Sequence, residues 1–232
     1  TPPTVSVNQP DDVGIGDTLL ISFEANDNTT LRAHYLFYSQ EPDIEFVFID
    51  SLAGPDLAYP WTVPNFVSDQ VRIRVETFDV VNLSSSDTSN FFSVYDAVAP
   101  TIAISEPSEN TTIPEYNELM VSWDASDNQE MDSVQIYFSN DGGSDFTLMG
   151  QVTQEYSEYT FAVPSGVTNN AQVRLVAVDI YGNEGQDLSD FFSITDNTPP
   201  TVSVNQPDDV SIGDTLLISF EADDNTGVAS NV

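Results

Sequence analysis

The sequence contains no cysteine and no lysine, and its only histidine is His34. Without these side chains it cannot build a tetrahedral zinc site, an iron–sulfur cluster or a cysteine–histidine nucleophile pair. The absence of lysine also excludes a Schiff base, a P-loop lysine and a lysine isopeptide cross-link. Only four cationic residues, all arginine, stand against 38 acidic ones, which gives a formal net charge of −34.

This charge balance excludes several classes of partner. Four scattered arginines form no basic surface for nucleic acid, and anionic membrane surfaces repel a chain this acidic. No run approaches the roughly 18 apolar residues of a membrane span. Hydrophobic residues nevertheless make up 40% of the chain and aromatic residues 11%. The sequence therefore predicts a folded acidic protein that binds no nucleic acid and does not insert into a membrane.

The clearest pattern is an internal repeat. Residues 198–226 repeat residues 1–29 with two differences, Gly14 becoming Ser211 and Asn26 becoming Asp223. Near-identity at a period of 197 residues indicates a recent duplication. We therefore expect this chain to be a window on a longer repetitive protein.

A weaker repeat lies inside that period. The pattern Tyr-x-Trp-x-Val-Pro at 59–64 recurs as Tyr-x-Phe-x-Val-Pro at 159–164, an offset of 100. At the start of the repeat the offset is 97, which predicts a longer loop between Pro107 and Leu119 in the second copy. The repeating unit is thus a domain of roughly 100 residues. The predicted divisions are residues 1–96, residues 97–197 and, in residues 198–232, the first two strands of the next repeat.

Hydrophobic residues alternate with period two, which predicts strands and not helices. In one segment Val71, Ile73 and Val75 alternate with arginines. The strands predicted for the first domain lie near 4–8, 18–24, 33–39, 45–50, 59–63, 70–77 and 87–94. Those of the second lie near 101–105, 118–124, 133–139, 146–152, 158–163, 171–178 and 188–194. Seven antiparallel strands per domain predict an all-β fold of tandem Ig-like sandwiches. The missing Cys…Trp…Cys core favours the fibronectin-III-like branch.

Aromatic residues allow two interpretations. Trp61, Phe161, Phe91-Phe92 and Phe191-Phe192 are predicted to pack in the sandwich cores. An adhesive or carbohydrate-binding module would instead need an exposed platform. Its candidate rings are Tyr35, Tyr137, Tyr156 and Trp61.

Several motifs carry a family resemblance. They include Pro-Pro-Thr-Val, Ser-Phe-x-Ala-x-Asp-Asn and Val-Arg-Leu-Val-Ala-x-Asp-x-x-Gly-Asn. Together they resemble the tandem Ig-like or fibronectin-III-like repeats of large bacterial cell-surface proteins. The resemblance implies an extracellular or cell-surface location and a role as a stalk, extender or filament. It implies little about biochemistry, because such modules serve as spacers and as adhesive arms.

Acidic residues are predicted to collect at one end of each sandwich, where the linker and two loops meet. Calcium takes 6–8 oxygen ligands, and an all-oxygen set without histidine suits Ca²⁺. The candidate ligands are Asp27, Asn28, Asp79, Asp96, Asp124, Asp127, Asn128, Asp179, Asn183, Asp196, Asn197, Asp223, Asp224 and Asn225.

The linker Asp-Asn-Thr-Pro-Pro at 196–200 resembles the linker of cadherin repeats. That resemblance implies calcium between neighbouring domains, although the cadherin Asp-Arg-Glu motif has no equivalent here. The alternative is that Asp and Asn simply satisfy turns and form a solvated acidic end. The sequence leaves both interpretations open.

The repeats favour a structural role, because repetition adds length and multivalency and not a unique pocket. The expected partners are neighbouring repeats of the same chain, or identical chains in a filament. Strand exchange through residues 198–232 ranks below a single long chain. No acidic pair sits in a pattern that demands catalysis, so an enzyme is not expected. An adhesive array would touch a surface glycan or protein at its tip.

Overall fold

The computed structural model describes residues 1–42 and 45–228. It divides into two compact units, Thr1–Val98 and Ala99–Val232. Residues 229–232 of the predicted third fragment lie outside the described residues. Every regular element in the described part is a β-strand. A search of those residues for a helix able to cross a membrane finds none.

The first unit, called domain 1, is a two-sheet sandwich. Its strands are β1 Thr4–Val7, β2 Val13–Gly14, β3 Thr18–Asn26, β4 Leu31–Ser39, β5 Val47–Ala53, β6 Ala58–Thr62, β7 Ser68–Asp79, β8 Ser84–Thr88 and β9 Phe92–Tyr95. One sheet has the order β1-β3-β6, and the other has the order β2-β9-β7-β4-β5 with β8 also paired to β7. All pairs are antiparallel except β2 with β9.

Domain 2, which follows from residue 99, repeats this plan strand for strand. Its strands are β10 Thr101–Glu106, β11 Thr112–Pro114, β12 Glu118–Ser126, β13 Met131–Ser139, β14 Thr147–Thr153, β15 Glu158–Ala162, β16 Thr168–Asp179, β17 Glu184–Leu188 and β18 Phe192–Thr195. The sheets are β10-β12-β15 and β11-β18-β16-β13-β14, with β17 on β16. The prediction of tandem all-β Ig-like sandwiches is confirmed.

The next repeat is represented by two strands, β19 Thr201–Val204 and β20 Phe220–Asp223. They pair antiparallel, with Thr201 opposite Asp223. We call domain 1 and this fragment first-type repeats, and domain 2 a second-type repeat. The fragment belongs to the same compact unit as domain 2.

The core of each sandwich follows from strand alternation, which turns every second side chain inward. In β7, Val71, Ile73 and Val75 are fully buried, while the arginines between them face outward. Trp61 and Phe161 are 6% and 7% exposed, so both are core residues as predicted. The platform interpretation therefore loses Trp61.

The paired phenylalanines were only half correctly predicted. Phe92 and Phe192 are buried, but Phe91 and Phe191 are 47% and 49% exposed. Neighbouring residues on an extended chain point to opposite faces, so one ring of each pair must leave the core.

The last predicted strand of each domain is also wrong in detail, because it is two strands. In domain 1 the break falls at Ser89, whose hydroxyl accepts the Ile73 amide at 3.0 Å and donates to the carbonyl of Asn90 at 2.8 Å. Ser189 does the same in domain 2, accepting the amide of Val173. The short strands β2 and β11 were not predicted, since two or three residues carry no periodicity.

Candidate metal centre and the end of domain 2

Two carboxylates meet at one end of domain 2. Asp127 lies in the loop after β12, and Asp179 is the last residue of β16. The register places Met131 of β13 opposite Asp179, which brings that loop beside the end of β16. Each residue offers a carboxylate oxygen, and these lie within 4.8 Å of one another. Like charges this close favour a bound cation or protonation.

Asp179 also has a structural task. Its Oδ1 accepts the backbone amides of Tyr181 and Asn183 at 2.9 and 2.8 Å, and its Oδ2 accepts the side-chain amide of Asn183 at 2.7 Å. Burial alone would raise the pKa of Asp179, but the hydrogen bonds from Asn183, Tyr181 and Gly182 outweigh it and lower the pKa. Asp79 closes the same turn in domain 1, where its Oδ1 accepts the amides of Val81 and Leu83.

Asp127 and its domain 1 equivalent Asp27 share a different feature. In each carboxylate, Oδ1 is buried and has no hydrogen-bond partner. Their Oδ2 atoms accept the backbone amides of Gln129 and Thr29 at 2.9 and 2.7 Å. Hydrogen bonds from Thr29, first from its hydroxyl, lower the pKa of Asp27. An ionised oxygen without a donor is costly to bury, and a cation would remove that cost.

These features fit a hard divalent cation. The donor atoms are carboxylate oxygens, which Ca²⁺ prefers. Asp179 accepts one hydrogen bond at Oδ2, which leaves a lone pair on that atom for a cation. The Asp127–Asp179 pair supplies only part of a shell of 6–8 oxygens, so further ligands and water must complete it.

Two further predicted ligands lie in strands, as Asp79 and Asp179 do at the ends of β7 and β16. Asp124 and Asp223 are exposed residues of β12 and β20. The side-chain amide nitrogen of Asn183 donates a hydrogen bond to Asp179. The predicted loop bounds were too wide because β12 runs two residues beyond its predicted end.

The linker carboxylates Asp96 and Asp196 each form a turn. Their Oδ1 atoms accept the amides of Val98 and Thr198 at 3.1 and 2.8 Å. Asp196 Oδ2 also accepts the hydroxyl of Thr226 at 2.7 Å. The Thr198 amide and then the Thr226 hydroxyl lower the pKa of Asp196.

The remaining candidates lie in the linkers and first loops. Asn197 donates to Asn117 at 3.5 Å, and Asp224 accepts the amide of Thr226 at 3.3 Å. Asn28 accepts the hydroxyl of Thr1 at 2.7 Å, and Asn128 is half-buried in the loop after β12. Asn225 bonds to Glu115, a residue that the sequence analysis did not select.

Glu115 is a fully buried carboxylate at the end of domain 2 that meets the next repeat. Its Oε1 accepts the hydroxyl of Thr198 and, at 2.7 Å, the side-chain amide of Asn225. Its Oε2 accepts the backbone amide of Gly166 at 3.2 Å. These donors, the Thr198 hydroxyl first, lower the pKa of Glu115. Hydrogen-bond donors alone therefore satisfy the buried charge.

The same backbone position carries a different side chain in domain 1. The amides of Ile15 and Glu115 bond to the carbonyls of Tyr95 and Thr195, both at 2.9 Å. Ile15 packs against the domain 1 core. Aligning the two copies at an offset of 100 pairs Ile15 with Glu115. A charged residue aligned with an apolar one is the sequence signal that could have identified Glu115.

Comparison with known proteins places domain 2 near a bacterial family. Residues 100–177 match the family model of the bacterial Ig domain. No curated protein sequence matches the chain. Domain 2 is therefore similar to bacterial Ig domains, and the chain carries tandem Ig-like repeats.

Solved structures give more distant likenesses. The fibronectin(III)-like modules of CbhA from Clostridium thermocellum are 15% identical, with a TM-score of 0.37 over 82% of this chain and 93% of that chain. A marsupial T cell receptor is 8% identical, with a TM-score of 0.39 over 88% of this chain and 77% of that chain. An amphioxus IgVJ-C2 molecule is 8% identical, with a TM-score of 0.38 over 78% and 99%.

Proposed function

We propose that this chain is a structural repeat region of an extracellular surface protein, where it forms a stalk, extender or filament and has no catalytic role. One observation carries the proposal: residues 198–226 repeat residues 1–29 with two differences. Repetition this close lengthens an array without changing its parts. The similarity of domain 2 to bacterial Ig domains supports the same role.

Calcium at the loop ends is the second part of the proposal. In domain 2 the ion is held by Asp127 and Asp179, and in domain 1 by Asp27 and Asp79 at the equivalent positions. The unpartnered oxygens Asp27 Oδ1 and Asp127 Oδ1 support it. The linker residues Asp96 and Asp196 are the further ligands that the sequence predicts for the domains after them. Bound calcium would also offset part of the −34 charge.

The test is thermal unfolding of the 232-residue chain in EGTA and in millimolar calcium, each at low and at high NaCl. We expect calcium to raise the melting temperature at high NaCl, where screening has already weakened charge repulsion. The variant Asp127→Asn should remove most of the rise that belongs to domain 2. Asp190→Asn, the same charge change at an exposed residue away from the loop end, should leave it intact.

A rise produced equally by NaCl alone would contradict the calcium site and leave a salt-adapted spacer. The array itself is tested by scattering from the chain in EGTA and in calcium. Calcium should narrow the distribution of its dimensions, because fixed linkers sample fewer arrangements. An unchanged distribution would contradict calcium stiffening.

A further inference from the structure

The hydrogen bonds of Glu115 require donors that a first-type and a second-type repeat do not supply equally. A buried carboxylate needs several donors, and both side-chain donors of Glu115, Thr198 and Asn225, come from the following repeat. Domain 2 itself supplies backbone amides, those of Gly166 and Asn197. Satisfaction of the carboxylate thus depends on the type of repeat that comes next in the chain.

The same two donor residues behave differently in domain 1. Thr1 and Asn28 are the equivalents of Thr198 and Asn225, and there the Thr1 hydroxyl donates to Asn28 Oδ1 at 2.7 Å. Beside Glu115 that mutual hydrogen bond is replaced, and both residues donate to the carboxylate. Identical residues therefore have two arrangements, one of them specific to the contact with domain 2.

The start of domain 2 could not serve as a replacement partner. An offset of 100 places Val98 at the position of Thr198, and valine has no hydroxyl to donate. The loop asparagine is present in every copy, as Asn28, Asn128 and Asn225. Of the two residues whose side chains donate to Glu115, only the threonine is absent from a second-type beginning.

Acceptor and donor change together across the repeat. Where domain 2 has Glu115 followed by Thr198, domain 1 has Ile15 followed by Val98. Both positions therefore hold apolar residues in the other copy, where Ile15 packs against the core and Val98 is 42% exposed. A mixed pair, glutamate before valine, would leave a buried carboxylate short of a donor, which is costly.

We infer that the Glu115 carboxylate is a recognition site for the beginning of a first-type repeat. It accepts a hydrogen bond from Thr198, the threonine before Pro199-Pro200, and thereby favours a first-type repeat after domain 2. The inference rests on the proposed array, but it does not involve calcium. The residues act by positioning the next repeat.

The test is amide hydrogen exchange by NMR on the 232-residue chain, in EGTA, at the Gly166 amide and the Asn225 side-chain amide. Thr198→Val should speed exchange at both sites by roughly tenfold, the effect of losing one hydrogen bond to a charged group. Thr198→Ser restores the hydroxyl and should keep the wild-type rates. Thr1→Val and Thr201→Val are matched controls, because the hydroxyls of these threonines donate to Asn28 and to the carbonyl of Asp223.

Coupling gives a second test that does not depend on one variant. Glu115→Ile combined with Thr198→Val recreates the domain 1 pair, and it should change exchange at Asn225 no more than Glu115→Ile alone. Exchange in Thr198→Val within twofold of the wild type, or effects of the two changes that multiply, would overturn the inference. Because calcium is absent throughout, such a failure would leave the calcium-dependent melting of the proposed array unaffected.

Discussion

The two domains share a backbone plan but exchange polar for apolar pairs at matched positions. In domain 1, His34 and Thr77 face each other across β4 and β7, and both are fully buried. His34 Nδ1 and Thr77 Oγ1 are 2.9 Å apart, and His34 Nε2 is 3.0 Å from the carbonyl of Gly54. In domain 2 the same positions hold Val134 and Ala177. Each domain keeps a matched pair, so the pair and not the single residue is the unit that varies.

At the positions of Glu115 and Thr198 the difference between the domains is reversed. There domain 2 has the polar pair, Glu115 with Thr198, and domain 1 has Ile15 and Val98. Burying one half of a polar pair costs more than burying both halves or neither. We therefore expect the two residues of a buried polar pair to be energetically coupled, and the coupling can be measured by exchanging such pairs between the domains.

The largest effect is expected from placing half of the polar pair in domain 2. Val134→His should destabilise domain 2 by about 2–4 kcal/mol, because the imidazole is oversized and lacks the threonine hydroxyl. Val134→His with Ala177→Thr should recover part of this loss. Urea unfolding read by tryptophan fluorescence can follow each domain, since Trp61 lies in domain 1 and Trp123 in domain 2.

The reciprocal exchange in domain 1 should cost less. His34→Val leaves the Thr77 hydroxyl without its partner and should destabilise domain 1 by about 1–3 kcal/mol. Adding Thr77→Ala should reduce that loss, because no buried hydroxyl then lacks a partner. Additive losses from the two changes, in the same fluorescence assay, would contradict coupling.

Both domains contain an arginine stacked on two aromatic rings, and its loss should lower the free energy of unfolding of both domains equally. Arg74 stacks on Phe37 and Phe46 at 4.7 and 4.4 Å from the ring centroids. In domain 2, Arg174 stacks on Tyr137 and Phe146 at 4.7 and 4.5 Å. Replacing either arginine by methionine should cost about 1–2 kcal/mol, since two cation–π contacts are lost while most packing remains.

Unequal losses from Arg74→Met and Arg174→Met, differing by more than about 1 kcal/mol, would mean that the two stacks are not equivalent. Arg32→Met provides the charge-matched control. That arginine is exposed and lies over the single ring of Phe78 at 5.5 Å. Its loss should be the smallest of the three.

Acidification should lower the free energy of unfolding of domain 2 by a smaller amount, through Asp141 in the loop between β13 and β14. Hydrogen bonds from the Ser139 hydroxyl and then the Asp145 amide lower the pKa of Asp141 in domain 2. A depressed folded pKa adds stability above the unfolded value of about 3.9, and that stability is lost as pH falls below it. The equivalent residue of domain 1 is Glu41.

The measurement is urea unfolding of domain 2 at about pH 5 and pH 3, compared with Asp141→Asn. The difference between the two proteins should shrink on acidification. Loss of negative charge elsewhere affects both proteins alike and cancels. A difference that grows as pH falls would contradict the assigned role of Asp141.

The smallest effect is expected where the near-identical repeats differ. Gly14 of domain 1 is Ser211 in the next repeat, and a Cβ at Gly14 would meet Asp17 Oδ2 at 2.8 Å. That atom ends a flexible side chain and can move. Gly14→Ser should therefore change domain 1 stability by less than about 0.5 kcal/mol in urea. A larger loss would mean that the two first-type repeats are not interchangeable at this strand.

The sequence was sufficient to predict the sandwiches, because alternation in segments such as 71–75 directly reflects burial. Glu115 was not predicted, because the acidic pattern in the sequence points to the loop ends near Asp127 and Asp179. Glu115 lies instead after the short strand β11, close to the predicted loop insertion, where the alignment of copies is hardest. Calcium binding stays a prediction, since turn closure by Asp79 and Asp179 explains part of the same pattern.

The positions of the arginines also determine where and when trypsin-like proteases can cut this chain. With no lysine, the four arginines are the only residues after which such enzymes cut. Arg72 and Arg74 lie in β7 and Arg174 lies in β16, and both strands are paired on both sides. Arg32 lies in β4 at a register shift between Leu31 and Ala33. A protease needs an extended segment free of sheet partners, so cleavage must wait for a domain to open. We therefore expect tryptic cleavage after Arg72, Arg74 and Arg174 to report how often a domain opens, whereas exposed Arg32 is the first site expected to be cut.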